Sequence, residues 1–421
     1  MNNRLFACAL GALLLAFSVG TPAGSIELAP PEEVGMSGDR LETLRKHLQR
    51  MVDDKETGGI QVLVSRHGKV VMHENYGYAD AEAREPLTDD SLFRIYSMTK
   101  PVIGVAMMLL YEEGLFALGD PLAKHIPEFA NLKVYAGDDE DGNPVLEDPT
   151  RQPTVHDLLQ HTAGFTYGWF GDTYVDKEYS RVEVLDPESS LQDMIDKLAD
   201  IPLLYQPGTR WQYSVSVDIQ GYLVEKLSGK DLESFLQERI FEPLGMDETT
   251  GWLDEREAAL LAKVHTHDDN GNLAVETGFW SGDYYSPPGL FMGGAQLIST
   301  TDDFWRFAQM LLNGGAFNGT RLLSPLTVEL MTSNRLPETV PGRRIEPGIG
   351  FGIDLGVVTD ATLQMAPSSN GEFSWSGAAT TLFWVDPEQE LVVILFTQYA
   401  PWDVPRYRDL MHRMVRSAIV D

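Results

Sequence analysis

Two β-hairpin signatures at opposite ends of the chain restrict its fold more than any other feature. Residues 60–66 (Ile-Gln-Val-Leu-Val-Ser-Arg) and 69–73 (Lys-Val-Val-Met-His) are rich in strand-forming residues and flank His67-Gly68, a two-residue link of the kind that joins adjacent antiparallel strands. Residues 380–385 (Thr-Thr-Leu-Phe-Trp-Val) and 390–397 (Glu-Leu-Val-Val-Ile-Leu-Phe-Thr) repeat the pattern around the turn-rich Asp386-Pro387-Glu388-Gln389. Between the two hairpins the apolar spacing becomes three and four residues, at 101–113, 154–160, 190–199, 217–228, 231–240 and 302–312, which is the period of helices with one buried face. Helical patterns at 38–52 and 404–419 can cover a sheet from either terminus. The expected fold class is α/β in the α+β sense: a central antiparallel sheet formed from N- and C-terminal strands, flanked by helices, with an inserted mainly helical domain. In residue terms, 24–98 and 340–421 make the discontinuous sheet domain and 99–339 the helical insertion. No Pro-, Gly- or Ser-rich linker divides them into independent units.

Residues 1–23 carry Arg4 as their one charged side chain, then an apolar run from Leu5 to Val19, then turn and small residues ending Thr21-Pro22-Ala23. That layout predicts a secretory signal peptide and an exported, periplasmic or secreted protein. The run is shorter than the roughly 20 residues that span a bilayer, so no stable membrane span is expected after processing. The one cysteine, Cys8, lies within this leader. A mature chain without cysteine excludes a disulfide scaffold, a thiol nucleophile and thiolate metal sites. Lysine and arginine number 32 against 63 acidic residues, a formal charge of −31, so nucleic acid and anionic membrane surfaces are repelled and a small-molecule substrate is the expected partner. The sequence sets no oligomeric state.

Neither acidic nor histidine-rich stretches point to a metal. Residues 137–149 are acidic and turn-rich but do not complete a calcium-binding loop, and read as a solvated loop. His265-Thr266-His267-Asp268-Asp269 lacks a third ligand at helical spacing. No metal and no cofactor is expected.

Chemistry is better placed in Ser97-Met98-Thr99-Lys100. The tetrapeptide follows a strand-like stretch (Leu92, Phe93, Ile95) and opens a helix that includes Val102, Ile103, Val105, Ala106, Met107 and Leu109, so Ser97 and Lys100 share a helical face. A serine hydroxyl needs a nearby base to become a nucleophile, and a lysine on so apolar a helix must find a partner. Pro101 is tolerated in a first turn whose amides have no helical acceptors. No Gly-x-Ser-x-Gly elbow and no phosphate-binding glycine loop occurs in the chain.

Taken in order, Ser97-Met-Thr-Lys100, His161-Thr-Ala-Gly164-Phe165, Tyr205-Gln-Pro207-Gly208-Thr209 leading to Tyr213-Ser214, Gly293-Gly294 before Leu297-Ile298-Ser299-Thr300, and Gly350-Phe351-Gly352 resemble the serine β-lactamase-related family. That family includes class C β-lactamases, D-alanyl-D-alanine carboxypeptidases and family VIII carboxylesterases, and the resemblance spans roughly residues 30–415. It implies that Ser97 accepts the acyl group, that Lys100 activates it, and that Tyr213 is the general base that deprotonates Ser97 and later protonates the leaving alkoxide. His161 is implied to be structural, because this mechanism needs no histidine.

Two positions depart from the family pattern. Val215 stands where the second motif has Asn, and Trp375-Ser376-Gly377 stands where β-lactamases and peptidases have Lys-Thr-Gly. Gly377 would let the backbone approach a substrate, with the amides of Ala378 and Ser97 forming the oxyanion hole. Trp375 cannot supply the cation that binds a penicillin or peptide carboxylate. The resemblance therefore implies a serine hydrolase of uncharged carboxylic esters, as in family VIII. A β-lactamase or D-alanyl-D-alanine carboxypeptidase, an acyltransferase and a non-catalytic binding protein of the same fold are the alternatives, in that order. Phe165, Tyr167, Trp169, Phe170 and Tyr174 are expected to supply an aromatic wall beside the site, with Trp169 and Phe170 as substrate contacts.

Overall fold

His67 and Gly68 both take positive φ, 53° and 72°, the backbone of a two-residue hairpin turn whose twist matches that of paired strands. They join β1 (Gly59–Arg66) to β2 (Lys69–Asp80) with Arg66 opposite Lys69, as the sequence predicts. The structure is a computed structural model, and it describes residues 26–278, 282, 284–337, 340 and 346–421. The expected leader at 1–23 lies outside these residues.

Six further strands complete one sheet: β3 (Glu85–Pro86), β4 (Ile349–Phe351), β5 (Gly356–Val358), β6 (Phe373–Gly377), β7 (Thr381–Asp386) and β8 (Leu391–Phe396). Their order is β4-β5-β6-β7-β8-β1-β2-β3, antiparallel throughout. The C-terminal half thus supplies five neighbouring strands, and β1 is inserted beside β8 with Val62 opposite Leu395.

Alternation along the strands sorts the side chains into two layers. Ile60, Val62, Val64, Leu382, Trp384, Val393 and Leu395 pack under α1 (Gly38–Asp53) and α5 (Val404–Ser417), which contribute Leu41, Leu44, Leu48 and Met51, and Tyr407, Met411 and Val415. Each fully buried aliphatic side chain is worth about 1.5–3 kcal/mol, so the four from α1 amount to about 6–12 kcal/mol. Leu63, Phe383, Val385, Val392, Ile394 and Phe396 face the other way and join the helical body. There Phe304 and Phe307 of α4 (Thr301–Leu312) bridge sheet and helices.

At the centre of that body lie α2 (Thr99–Glu112), buried at every residue from Thr99 to Leu110, and α3 (Ser216–Ser228). Helix starts around them are fixed by reciprocal side-chain caps, such as Thr154 with Asp157 and Ser190 with Asp193.

Three expectations are corrected. The helix expected over 231–240 is α-helical over Leu232–Leu236 and widens to a π-turn over Gln237–Phe241; Pro243 follows, and its ring crowds the carbonyl four residues back, at Arg239. The acidic stretch within 137–149 is an exposed hairpin, Val134–Asp138 with Pro144–Glu147. Its turn is held by Asp139, whose Oδ1 accepts from the amides of Asp141 and Asn143 at 2.9 and 2.8 Å. Tyr174, expected in the aromatic wall, instead opens a helix, Tyr174–Arg181. Among the described residues no helix is long and apolar enough to cross a membrane.

Candidate active site

Ser97 sits in a 3-10 turn, Tyr96–Met98, that runs directly into α2. The residue before it, Tyr96, holds φ at 44°, a conformation that is costly for a bulky residue and is kept only where its surroundings impose it. Those surroundings are Ile95, whose amide donates to Leu297 O at 3.0 Å, and Thr99, whose hydroxyl accepts from the Leu297 amide at 3.0 Å. One turn on, Lys100 is 1% exposed. Its Nζ donates to Ser97 Oγ at 3.3 Å and to the Gly294 carbonyl at 2.7 Å. A donor so placed orients the serine oxygen and stabilises negative charge that develops on it.

Lys100 also faces two rings, with Nζ 4.5 Å from the Tyr213 centroid and 5.4 Å from that of Tyr167. Tyr213 lies just before α3 in a nest of aromatics: Tyr167 at 5.3 Å, Trp375 at 5.7 Å, Trp211 at 6.1 Å and Phe170 at 6.2 Å between centroids. Lys100 thus meets Tyr213 through the ring face, a cation–π arrangement. His161 packs against Tyr213 at 5.1 Å, and its Nδ1 is 3.1 Å from Ser214 Oγ, so it lies behind the tyrosine. Val215 is fully buried in the apolar core, which explains why no polar group is needed there.

The Trp375-Ser376-Gly377 strand, β6, passes alongside the Ser97 turn. A Cβ at 377 would overlap Ile95 O and Thr381 Oγ1, so only glycine lets the strand end lie this close. Ala378 opens the turn that follows and is half-buried, as is Ser376. Trp375 is buried and packs on Phe351 and Tyr213.

The aromatic wall is smaller than its sequence range. Trp169 stacks on Tyr167 at 5.0 Å with rings 6° apart, and Trp169 and Phe170 remain 59% and 63% exposed. Phe165 instead packs into the core on Phe129, and Tyr174 packs on Tyr135. No cluster of three or more metal-ligating side chains occurs among the described residues. His265 and His267 are engaged structurally: His265 Nε2 accepts from the Ala81 amide, and His267 bonds Tyr399 and the Lys55 carbonyl.

Sequence reasoning missed the layer beneath Lys100. Asp218 on α3 accepts from the Gly294 amide at 2.9 Å. Burial pushes its carboxyl above the ordinary range, while the Lys100 charge and the Gly294 amide pull it back. Asp354, between β4 and β5, accepts from Gln220 Nε2 at 3.1 Å. Burial holds its carboxyl well above the ordinary value against the Gln220 hydrogen bond and the Lys100 charge. Burial and the Asp218 charge likewise raise the Tyr167 phenol. The signal for this layer was Gly293-Gly294 itself. A Cβ at 293 would stand 3.2 Å from Val217 C, and one at 294 would stand 2.7 Å from Tyr167 Oη and 3.0 Å from Asp218 Oδ2, so both residues mark a loop pressed onto α3.

The family model described as Beta-lactamase matches residues 44–415. The chain is 33% identical over 364 residues to Protein Rv1367c of Mycobacterium tuberculosis, covering 84% of this chain and 89% of that protein. It is 28% identical over 360 residues to Esterase EstB of Burkholderia gladioli, covering 81% and 86%. Simvastatin Synthase (LovD) from Aspergillus terreus has the same fold, with a TM-score of 0.78 at 23% identity over 90% of this chain and 98% of that one.

Proposed function

The chain belongs to the Beta-lactamase family, and from that premise we propose that it is a serine hydrolase cleaving uncharged carboxylic esters through an acyl-enzyme on Ser97. The observation that carries this reading is the buried Lys100 nitrogen 3.3 Å from Ser97 Oγ and 4.5 Å from the Tyr213 ring centroid. Ser97 Oγ attacks the ester carbonyl carbon and gives its proton to Tyr213, whose charge Lys100 balances. The amides of Ser97 and Ala378 take the oxyanion. Tyr213 returns the proton to the departing alkoxide, and a water, deprotonated in the same way, then releases the acid.

The ester preference rests on the site's wall. Trp375 stands where a carboxylate-binding cation would be needed for penicillins or peptides, and the exposed rings of Phe170 and Trp169 lie against Tyr213 and Tyr167. Such a surface suits an apolar acyl or alcohol group. Esterase EstB, similar over most of its length, supports the same choice.

The test is the time course of p-nitrophenol release from p-nitrophenyl butyrate. The protein should show turnover through an acyl-enzyme, and Ser97→Ala should abolish it. Undiminished release by that variant refutes the assignment, and nitrocefin turnover faster than ester turnover reverses the substrate class.

A further inference from the structure

A buried ammonium needs a compensating charge, because burial removes several kcal/mol of hydration. Lys100 is buried on all sides, and rather than pairing with a carboxylate directly its nitrogen donates to a hydroxyl and to a peptide carbonyl. The groups that face it are Ser97 on its own turn, the rings of Tyr167 and Tyr213, Asp218 on α3, and Asp354 between β4 and β5. Before any proton moves, the two acids are the groups among these that can supply the charge, and their settings differ. We propose that Asp218 is a positioning residue that carries the negative charge balancing Lys100 and acts through Gly294, whereas Asp354 is held as a neutral acid.

Gly294 links the two charged groups. Its amide donates to Asp218 Oδ1 at 2.9 Å, and its carbonyl accepts from Lys100 Nζ at 2.7 Å. The carboxylate therefore fixes the residue whose oxygen aims Lys100 at Ser97. Gly293 and Gly294 lie so close against α3 that a side chain at either would displace the loop. The Tyr167 hydroxyl also stands against Asp218, so a hydroxyl, an amide and a nearby cation all favour its charged form. Asp354 feels the same Lys100 charge but has one side-chain donor, the neutral Gln220, and its Oδ2 meets Gly104 of α2, where a Cβ would lie 3.1 Å from it. With so little to stabilise charge at full burial, it is the acid that keeps its proton. Two carboxyls beside one lysine are thus driven to opposite states by their surroundings.

The inference rests on the reading of Ser97 and Lys100 as a nucleophile and its activator, so its test uses a fluorophosphonate probe, which reports serine reactivity whether or not the protein cleaves esters. Labelling rate is measured against pH for the parent, Asp218→Asn and Asp354→Asn. The asparagine at 218 can still accept from the Gly294 amide, so it removes charge with little change of shape. In that variant the alkaline limb of the profile should move to lower pH by about one unit or more, the size expected for loss of one nearby charge, whereas in Asp354→Asn it should stay in place. A merely structural role for Asp218 would lower the rate equally at every pH, and an unmoved limb overturns the proposal. A displaced limb in Asp354→Asn overturns it independently, even if the variant at 218 does not fold. A parent protein that hydrolyses no ester yet labels at Ser97 sinks the ester reading and leaves this test intact; one that does not label sinks both.

Discussion

Replacing Gly377 by alanine tests how closely β6 must approach the nucleophile. The added Cβ would overlap Ile95 O and Thr381 Oγ1 and stand 3.1 Å from Ile95 C, so β6 and the Ser97 turn must separate by roughly 1 Å. Neither side yields easily. Gly377 is registered opposite Thr381 in the sheet, and Ile95 is held by the Leu297 carbonyl and by the Thr381 hydroxyl. The separation therefore falls on the gap between the Ser97 and Ala378 amides. Loss of one oxyanion donor costs about 10²–10³ in kcat, or about 3–4 kcal/mol, and a misplacement of about 1 Å costs a similar hundredfold. Gly377→Ala should accordingly lose two to three orders of magnitude in kcat for p-nitrophenyl butyrate while its far-ultraviolet circular dichroism stays that of the parent. A folded variant within about threefold of the parent would show that the two amides do not share the oxyanion.

Lys100→Ala and Tyr213→Phe should each lower kcat on the order of a hundredfold or more, and the double variant should lose little beyond the worse single, as residues acting as one unit do. Near-native hydrolysis by Tyr213→Phe beside a dead Lys100→Ala would make Lys100 the direct base on Ser97. Away from the site, the buried Asp303 carboxyl accepts from the Glu248 amide and the Thr249 hydroxyl, and burial together with the Glu248 charge pushes it up to about 7. An acid with a raised folded value stabilises most below its unfolded value near 4 and loses that contribution as pH rises to about 7, at most about 4 kcal/mol over some three units. Thermal melts of Asp303→Asn should gain on the parent between pH 4 and 7, and a constant difference across that range would refute the assignment.

What was legible in the sequence was local. The hairpin at His67-Gly68 shows because two residues with positive φ leave a composition trace, and Ser97 with Lys100 shows because helical spacing brings them together. β4 and β5 are three residues each, too short for a period of two to register. The helix Tyr174–Arg181 was announced by the capping pair Thr173 and Asp176, but with Val175 and Tyr179 as its buried apolar residues it is too short for a helical period to register. Asp218 could not be found this way. On α3 it is an unremarkable acid, and its meaning comes from an amide 76 residues further on. Asp354 is likewise given its setting by Gln220, 134 residues away. Roles assigned by burial are invisible until the chain has closed around the residue.

The seat of β1 beside β8 dictates when that closure happens. As the chain leaves the ribosome, β1 and β2 emerge early, but the strand that covers the other edge of β1 arrives only with Leu391–Phe396, and the helix over its face only with Val404–Ser417. For most of synthesis an apolar strand edge waits unpaired, the kind of surface that invites aggregation, and pairing so distant in sequence is slow to form. The nascent chain carries that hazard through the whole interval. A chain that stops before Leu391 is left with its central strand open on one side.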